Sequence, residues 1–209
     1  ATASSDLFAS VNEPLALVEH AIREQFESRA DLVEILGEHV FGAGGKRLRP
    51  ALLLLCAELC GYKGPRRVHL GAAIEMLHTA TLLHDDVVDQ SDLRRGLASA
   101  NTLWGNKASV LVGDFLFSRS FELMTEDGSL KVLKILSGAS AIIAEGEVDQ
   151  LTAQRKIDTS EERYLHIIRA KTAALFAAAS RIAAVVAECS EEQEQALDEY
   201  GRNLGGAFQ

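Results

Sequence analysis

The sequence predicts an all-α helical bundle, and three observations carry that expectation. Only three prolines interrupt 209 residues, Ala and Leu recur throughout, and apolar residues return at intervals of three and four. No alternating apolar/polar run is long enough for a strand. The chain is 47% hydrophobic and 24% charged, as ordinary globular proteins are, and is long enough for one large core. No Pro/Gly/Ser-rich linker or internal repeat divides it, so residues 1–209 read as a single domain.

A first helix is expected over Pro14–Arg29, where Leu15, Val18, Ile22 and Phe26 share a face. A second covers Leu32–Val40, and the glycine-rich Phe41–Lys46 breaks it. Pro50 then lies in the first turn of an apolar helix that stops at Gly61, the favoured order of Pro early and Gly late. From Leu70 to about Asp92 neither Pro nor Gly intervenes beyond Gly71, which predicts one long helix. Arg94–Trp104 reads as a loop. Helices follow at Ala108–Met124 and Lys131–Arg155. Thr159 with Glu162 has the spacing of a capping box, with Glu161 adding favourable charge, and the helix they open can run to Glu188. Ser190 with Gln193 repeats the signal for a last helix.

Composition removes several classes of function. A net charge of −9 is wrong for a binder of nucleic-acid backbone, although local basic clusters can still take small anions. Cys56, Cys60 and Cys189 read as free thiols of a reducing compartment. The most apolar stretch, Ala51–Leu59, contains Glu58 and is far shorter than the roughly 20 residues of a membrane span. The N-terminal residues have neither the basic start and apolar block of a signal peptide nor the Arg-rich character of a transit peptide, so the cytoplasm is the expected location.

Four local signals carry chemistry. Asp85-Asp86-Val87-Val88-Asp89 places Asp85 and Asp89 four apart on one helix face with Asp86 beside them. Crowded carboxylates repel, and a divalent cation removes that penalty; oxygen-only ligation suits Mg²⁺, which keeps waters and completes its shell with phosphate. A solvated acidic face is the plain alternative, but Leu82, Leu83, Val87 and Val88 set these acids against apolar surroundings. His78, seven residues before Asp85, falls on the same stripe. His84 is adjacent but off the stripe and reads as structural. Gly44-Gly45-Lys46-Arg47-Leu48-Arg49-Pro50 combines the backbone donors of a glycine loop with three cations, a ready anion site, and Lys46 and Arg49 can point together. It lacks the P-loop pattern. Arg94-Arg95-Gly96 begins five residues beyond Asp89, and forked guanidinium donors so near a metal site suggest a diphosphate between them. Lys171-Thr172, in an Ala-rich helix, is weak alone.

Taken in order, GGKRLRP, Glu75–Gly96, Ala170–Thr172 and the terminal GGAFQ resemble the motifs of trans-polyprenyl diphosphate synthases, long-chain and octaprenyl- or decaprenyl-like, across nearly the whole chain. The resemblance implies a helical isoprenoid-synthase-like bundle with a central substrate cavity. It implies that Asp85, Asp86 and Asp89 hold Mg²⁺ against the diphosphate of an allylic substrate contacted by Arg94. Lys46, Arg49, His78 and Arg95 would bind isopentenyl diphosphate, and Lys171, Thr172 and Gln209 would complete the allylic pocket, with Lys171 counted among the catalytic residues. A homodimer is the family's usual state.

Product length is set beneath that site. Ala80 and Thr81 stand where short-chain members of the family carry bulky aromatics, and small residues leave the tunnel open. One helical turn of about 5.4 Å approximates an isoprene unit, so depth along this helix acts as a ruler and gives about eight to ten units, suited to a quinone side chain. The family carries a second aspartate-rich motif shortly after its FQ pair, whereas this sequence stops at Gln209. The expectation is a domain lacking its C-terminal part. The alternatives are a non-catalytic regulatory subunit of a prenyltransferase heteromer and, third, a terpene cyclase, which has no need of GGKRLRP.

Overall fold

The three- and four-residue spacing becomes a bundle wrapped around one central helix. The computed structural model describes residues 8–42, 44–153, 162 and 169–208. In chain order these form a short 3₁₀ turn (Ala9–Val11), α1 (Asn12–Glu24), α2 (Asp31–Gly42), α3 (Leu48–Leu59), α4 (Arg66–Val88), β1 (Leu93–Arg94), β2 (Leu97–Ala98), α5 (Ala100–Trp104), α6 (Asn106–Glu126), α7 (Leu130–Ala153), a π-helical turn (Arg169–Ala173), α8 (Ala174–Val186) and α9 (Glu191–Phe208).

Helix α4 is the centre because, beyond its polar first turn, it is buried on nearly every side from Leu70 to Leu77. Leu70, Ala72, Ala73, Ile74, Met76, Leu77, Ala80 and Leu83 are all buried, against α1, α3 and α6. Two glycines fix the closest crossings. A Cβ at Gly71 would come within 3.1 Å of Val18 on α1, and one at Gly113 of α6 would come within 2.4 Å of the His84 ring on α4. That ring also reaches the Val110 carbonyl at 3.2 Å, so His84 is a packing residue, as its place off the acidic stripe suggests. On the other side α8, buried along nearly its whole length, lies between α3 and α9. Gly201 and Gly205 let α9 approach, since a Cβ at Gly201 would sit 2.5 Å from the Phe176 carbonyl oxygen.

Most helices fall where expected, and the departures have local causes. Helix α1 ends at Glu24 instead of Arg29 because Phe26 turns inward, edge-on to Phe41 at 5.3 Å and against Gly37. Helix α4 starts earlier than Leu70, directly after Pro65, whose φ of −69° is already helical. It also stops before Asp92: Asp89 is its C-cap residue, Gln90 takes a left-handed φ of 52°, and the Ser91 amide closes back on the Asp86 carbonyl at 2.9 Å. The expected loop at Arg94–Trp104 contains structure. Leu93 pairs with Ala98 and Arg94 with Leu97 in a tight antiparallel hairpin, and α5 follows. The two turn residues, Arg95 and Gly96, both have positive φ (53° and 81°), as a two-residue hairpin turn requires. The Ser190/Gln193 capping box forms as read: the Ser190 amide donates to Gln193 Oε1 at 3.1 Å and the Gln193 amide to Ser190 Oγ at 3.3 Å. Thr159 of the other capping box, and Gln209, lie outside the described residues. Cys56, Cys60 and Cys189 are free thiols, and among the described residues no helix is long and apolar enough to cross a membrane.

Candidate active site

The basic side is built from the glycine loop outward. Arg47 takes a left-handed φ of 46° at the start of α3, which turns its side chain into the bundle. There it donates to Glu19 Oε1 (3.3 Å), Glu75 Oε1 (3.2 Å) and the Phe41 carbonyl (2.9 Å). One of the three loop cations is therefore part of the fold. The neighbours stay available: Lys46 is exposed, and Arg49 lies over the Phe176 ring at 5.0 Å with its Nε buried and unpartnered among the described residues. Phe176 stacks in turn on Phe208 of the GGAFQ segment at 5.6 Å, which connects the chain's last helix to this wall. From the hairpin, Arg95 donates to the Gly44 carbonyl. At Gly45 the loop passes close under both guanidinium groups: a Cβ there would meet those of Arg95 and Arg47 at 2.7 and 2.8 Å and displace them.

Like charges so crowded lower one another's affinity for protons. Burial, with Arg95 adding and Glu75 opposing, pushes Arg49 down to about 10, so it remains a cation at neutral pH. His78 on α4 is held well below 6.5 by burial and then by Arg49, Arg95, Arg94 and Arg47. It faces the basic wall as a neutral imidazole. The structure thus brings together Arg49, His78 and Arg95, three of the four residues expected to bind isopentenyl diphosphate, with Lys46 exposed at the rim.

The acidic side is the last turn of α4, and it divides in two. Asp86 is 1% exposed, and Arg94 grips it: Nε lies 2.9 and 2.7 Å from its two oxygens and Nη2 lies 2.6 Å from Oδ1. This corrects the expectation that Asp86 shares the metal with its neighbours. Its carboxylate is buried and holds the first strand of the hairpin in place, the chain having turned back after α4 through Gln90, at a left-handed φ of 52°. Arg94, expected on a substrate diphosphate, is anchored here by the same contact.

Asp85 and Asp89 are different. Both sit at the C-terminal end of α4, where the helix dipole already disfavours negative charge. Burial and the Glu147 carboxylate raise Asp85 to about 6, Lys171 works in the opposite direction, and Asp89 raises it further. Among the described residues no group of three or more His, Cys, Asp or Glu is arranged to hold an ion by itself. The donor set still fits Mg²⁺, which takes one or two carboxylates and fills its shell with water and phosphate.

Lys171 comes from the π-helical turn, and its Nζ lies 2.9 Å from Glu147 Oε1 and 2.9 Å from Gln150 Oε1 of α7. Thr172 beside it is buried. Neither Glu147 nor Gln150 stands out in the sequence. Three apart on a helix, they look like a solvated face, and a pattern one turn long cannot show what faces them.

Below Asp85 and Glu147 opens a largely apolar cavity of about 600 Å³, with Leu77, Thr81, Phe117, Phe121 and Ile143 among its walls. Thr81 lines it as expected. Ala80 does not: it is fully buried in the core on the other flank of α4, because consecutive helical residues point about 100° apart. Phe117 and Phe121 of α6, 5.0 Å apart, supply the aromatic bulk at this cavity, which inspection of α4 alone does not reveal.

The bundle thus sets a cation wall and a carboxylate turn above an apolar cavity. The polyprenyl synthetase family model matches residues 30–209, and the chain belongs to that family. It is 51% identical over 197 residues to octaprenyl diphosphate synthase of Escherichia coli (strain K12), covering 94% of this chain and 61% of that one. To the geranyl-diphosphate-specific all-trans-nonaprenyl-diphosphate synthase of Rhodobacter capsulatus it is 46% identical, covering 98% and 63%. Among solved structures, decaprenyl diphosphate synthase of Rhodobacter capsulatus superposes with a TM-score of 0.95 at 52% identity, covering 98% of this chain and 63% of that one. Polyprenyl synthase of Caulobacter crescentus CB15, complexed with calcium and isoprenyl diphosphate, gives 0.94 at 48%, covering 97% and 62%. The chain thus spans somewhat over three-fifths of the length of these relatives.

Proposed function

We propose that this chain is the greater part of a single catalytic domain that condenses an allylic diphosphate repeatedly with isopentenyl diphosphate to give a long-chain trans-polyprenyl diphosphate. The observation that carries the reading is the unneutralised Asp85/Asp89 end of α4, set between the basic wall and the mouth of the apolar cavity. Asp85 and Asp89 hold Mg²⁺, which when bound neutralises the charge that develops on the departing diphosphate. Lys171 and Thr172 flank the allylic diphosphate together with Arg94, whose orientation Asp86 fixes. Lys46, Arg49, His78 and Arg95 hold the diphosphate of isopentenyl diphosphate, which does not leave. That places its double bond beside the carbon losing its diphosphate. The cavity takes the growing tail and keeps water from the reacting carbon.

Product length follows from the same geometry. With Thr81 small, the limit on the tail passes to residues deeper in the cavity, and the product is about eight to ten isoprene units by the one-turn-per-unit ruler. A quinone side chain is a fitting destination. The family resemblance further implies a homodimer in the cytoplasm. The test is incubation of the complete protein with Mg²⁺, a short allylic diphosphate and radiolabelled isopentenyl diphosphate, followed by chromatography of the dephosphorylated alcohols. Long-chain products dependent on divalent metal are expected. Absence of condensation, with the chain instead activating a partner prenyltransferase, would replace this reading with the regulatory one.

A further inference from the structure

Lys171 is held in place from two directions. Its backbone belongs to the π-helical turn Arg169–Ala173, a widened turn of a kind that recurs at functional sites. Two glycines from different helices grip that turn. A Cβ at Gly146 of α7 would lie 2.7 Å from the Ala170 Cβ, and one at Gly205 of α9 would lie 2.7 Å from the Ala173 Cα. No side chain fits on either side, so α7 and α9 set the position of the turn. Gly146 also brings the next residue of α7 into reach, and the Lys171 Nζ meets Glu147 Oε1 and Gln150 Oε1, both at 2.9 Å. Glu147 and Gln150 are three apart and so share one face of α7. Among the described residues, two of the three ammonium donors have these two partners. The lysine side chain is only 20% exposed, at the end of the cavity where Glu147 and Asp85 both contribute to the wall.

We infer that Glu147 and Gln150 are positioning residues: they hold the Lys171 ammonium at the cavity mouth, opposite Asp85, so that it meets an incoming diphosphate without first losing its rotamer freedom. The inference deepens the proposed function and rests on it. The alternative use of Glu147 is as a further metal ligand, and the two are separable because only the positioning role acts through Lys171.

Two charge-conserving variants of the complete protein test it. Glu147→Asp withdraws the oxygen by about one carbon–carbon bond, roughly 1.5 Å, and Gln150→Ala removes the second acceptor. Calorimetric binding of inorganic pyrophosphate at saturating Mg²⁺ is the first readout, and the KM for each substrate is the second. Each variant is expected to weaken pyrophosphate binding about 3- to 10-fold and to raise the allylic KM alike, with the isopentenyl diphosphate KM unchanged. In a Lys171→Ala background the same changes are expected to have less than about a twofold effect, as coupling through a shared partner requires. Gln150→Ala, at a partly exposed position, serves alone if Glu147→Asp unsettles the turn. Full effects in the Lys171→Ala background, or a shifted Mg²⁺ half-saturation, would overturn the inference in favour of a metal ligand. Wild-type binding in both variants would overturn it and leave the diphosphate site standing. A wild-type protein that binds no pyrophosphate with Mg²⁺ removes both.

Discussion

Asp85 and Asp86 are neighbours on α4 and face different worlds. Asp86 points to the hairpin, where Arg94 meets both of its oxygens and the carboxylate is only 1% exposed. Asp85 points to the cavity, where another carboxylate, Glu147, stands nearby and the helix dipole adds to the repulsion. The same contrast recurs among the cations: Arg47 is consumed by Glu19, Glu75 and a carbonyl, while Arg49 keeps a donor unpartnered among the described residues. Charge matched within the chain holds its shape, and charge left unmatched marks where a ligand of opposite sign belongs.

The sharpest break of that comparison is a pair of alanine substitutions. Asp85→Ala is expected to lower turnover by at least about 1,000-fold, since an interaction with the charge-stabilising metal is lost. It should leave stability within about 0.5 kcal/mol of wild type or raise it slightly, because an ill-placed charge has gone. Asp86→Ala should instead lower stability by about 2–4 kcal/mol in urea unfolding. That extends below the roughly 3–5 kcal/mol for fully buried pairs because the freed Arg94, about a third exposed, can turn partly to water. Equal destabilisation by both substitutions would erase the distinction between matched and unmatched acids.

A second contrast sets Ala80 against Thr81, next to each other but on different flanks of α4. Ala80→Phe overfills packed core and is expected to cost about 1–3 kcal/mol with product length unchanged in whatever folds. Thr81→Phe puts its ring into the cavity, and a stable enzyme with shortened products is expected on chromatography. If Ala80→Phe alone shortened the product, the tail would run along the other flank of the helix.

The smallest effect concerns His78, which burial and then the basic wall keep unprotonated. An unfolded chain takes up a proton on this imidazole near pH 6.5 and the folded chain does not, so stability falls as pH drops below that value. The slope is at most about 1.4 kcal/mol per pH unit from this group. His78→Gln should flatten that part of the profile between pH 7 and 5. An unchanged profile would mean that burial and the basic wall do not hold this imidazole neutral.

Much of this was legible in the sequence, and the remainder was hidden for physical reasons. The Ser190/Gln193 cap and the Asp85/Asp89 spacing are local, within one helical turn, and local patterns survive folding unchanged. The Asp86–Arg94 pair depends on the chain reversing after α4 at Gln90, which takes a left-handed φ of 52° where neither Gly nor Pro announces a turn. Glu147 and Gln150 meet Lys171 across two helices and more than 20 residues of chain, a distance that periodicity does not encode. Which of Ala80 and Thr81 faces the cavity depends on how α4 is rotated against α6 and α7. Burial pattern around the helix, and not composition at either position, decides that.

Arg47 has a consequence for how the anion site comes into being. Its two carboxylate partners lie 28 residues away in opposite directions along the chain, Glu19 before it and Glu75 after it. Closing both loops costs entropy that the short GGKRLRP segment has no means of recovering alone. The peptide by itself is therefore a flexible basic string with three equivalent cations. Only when α1 and α4 have docked does Arg47 turn inward, and its withdrawal gives Lys46 and Arg49 their separate directions. The shape of this basic wall depends on tertiary assembly, even though every cation in its loop is written within four consecutive residues.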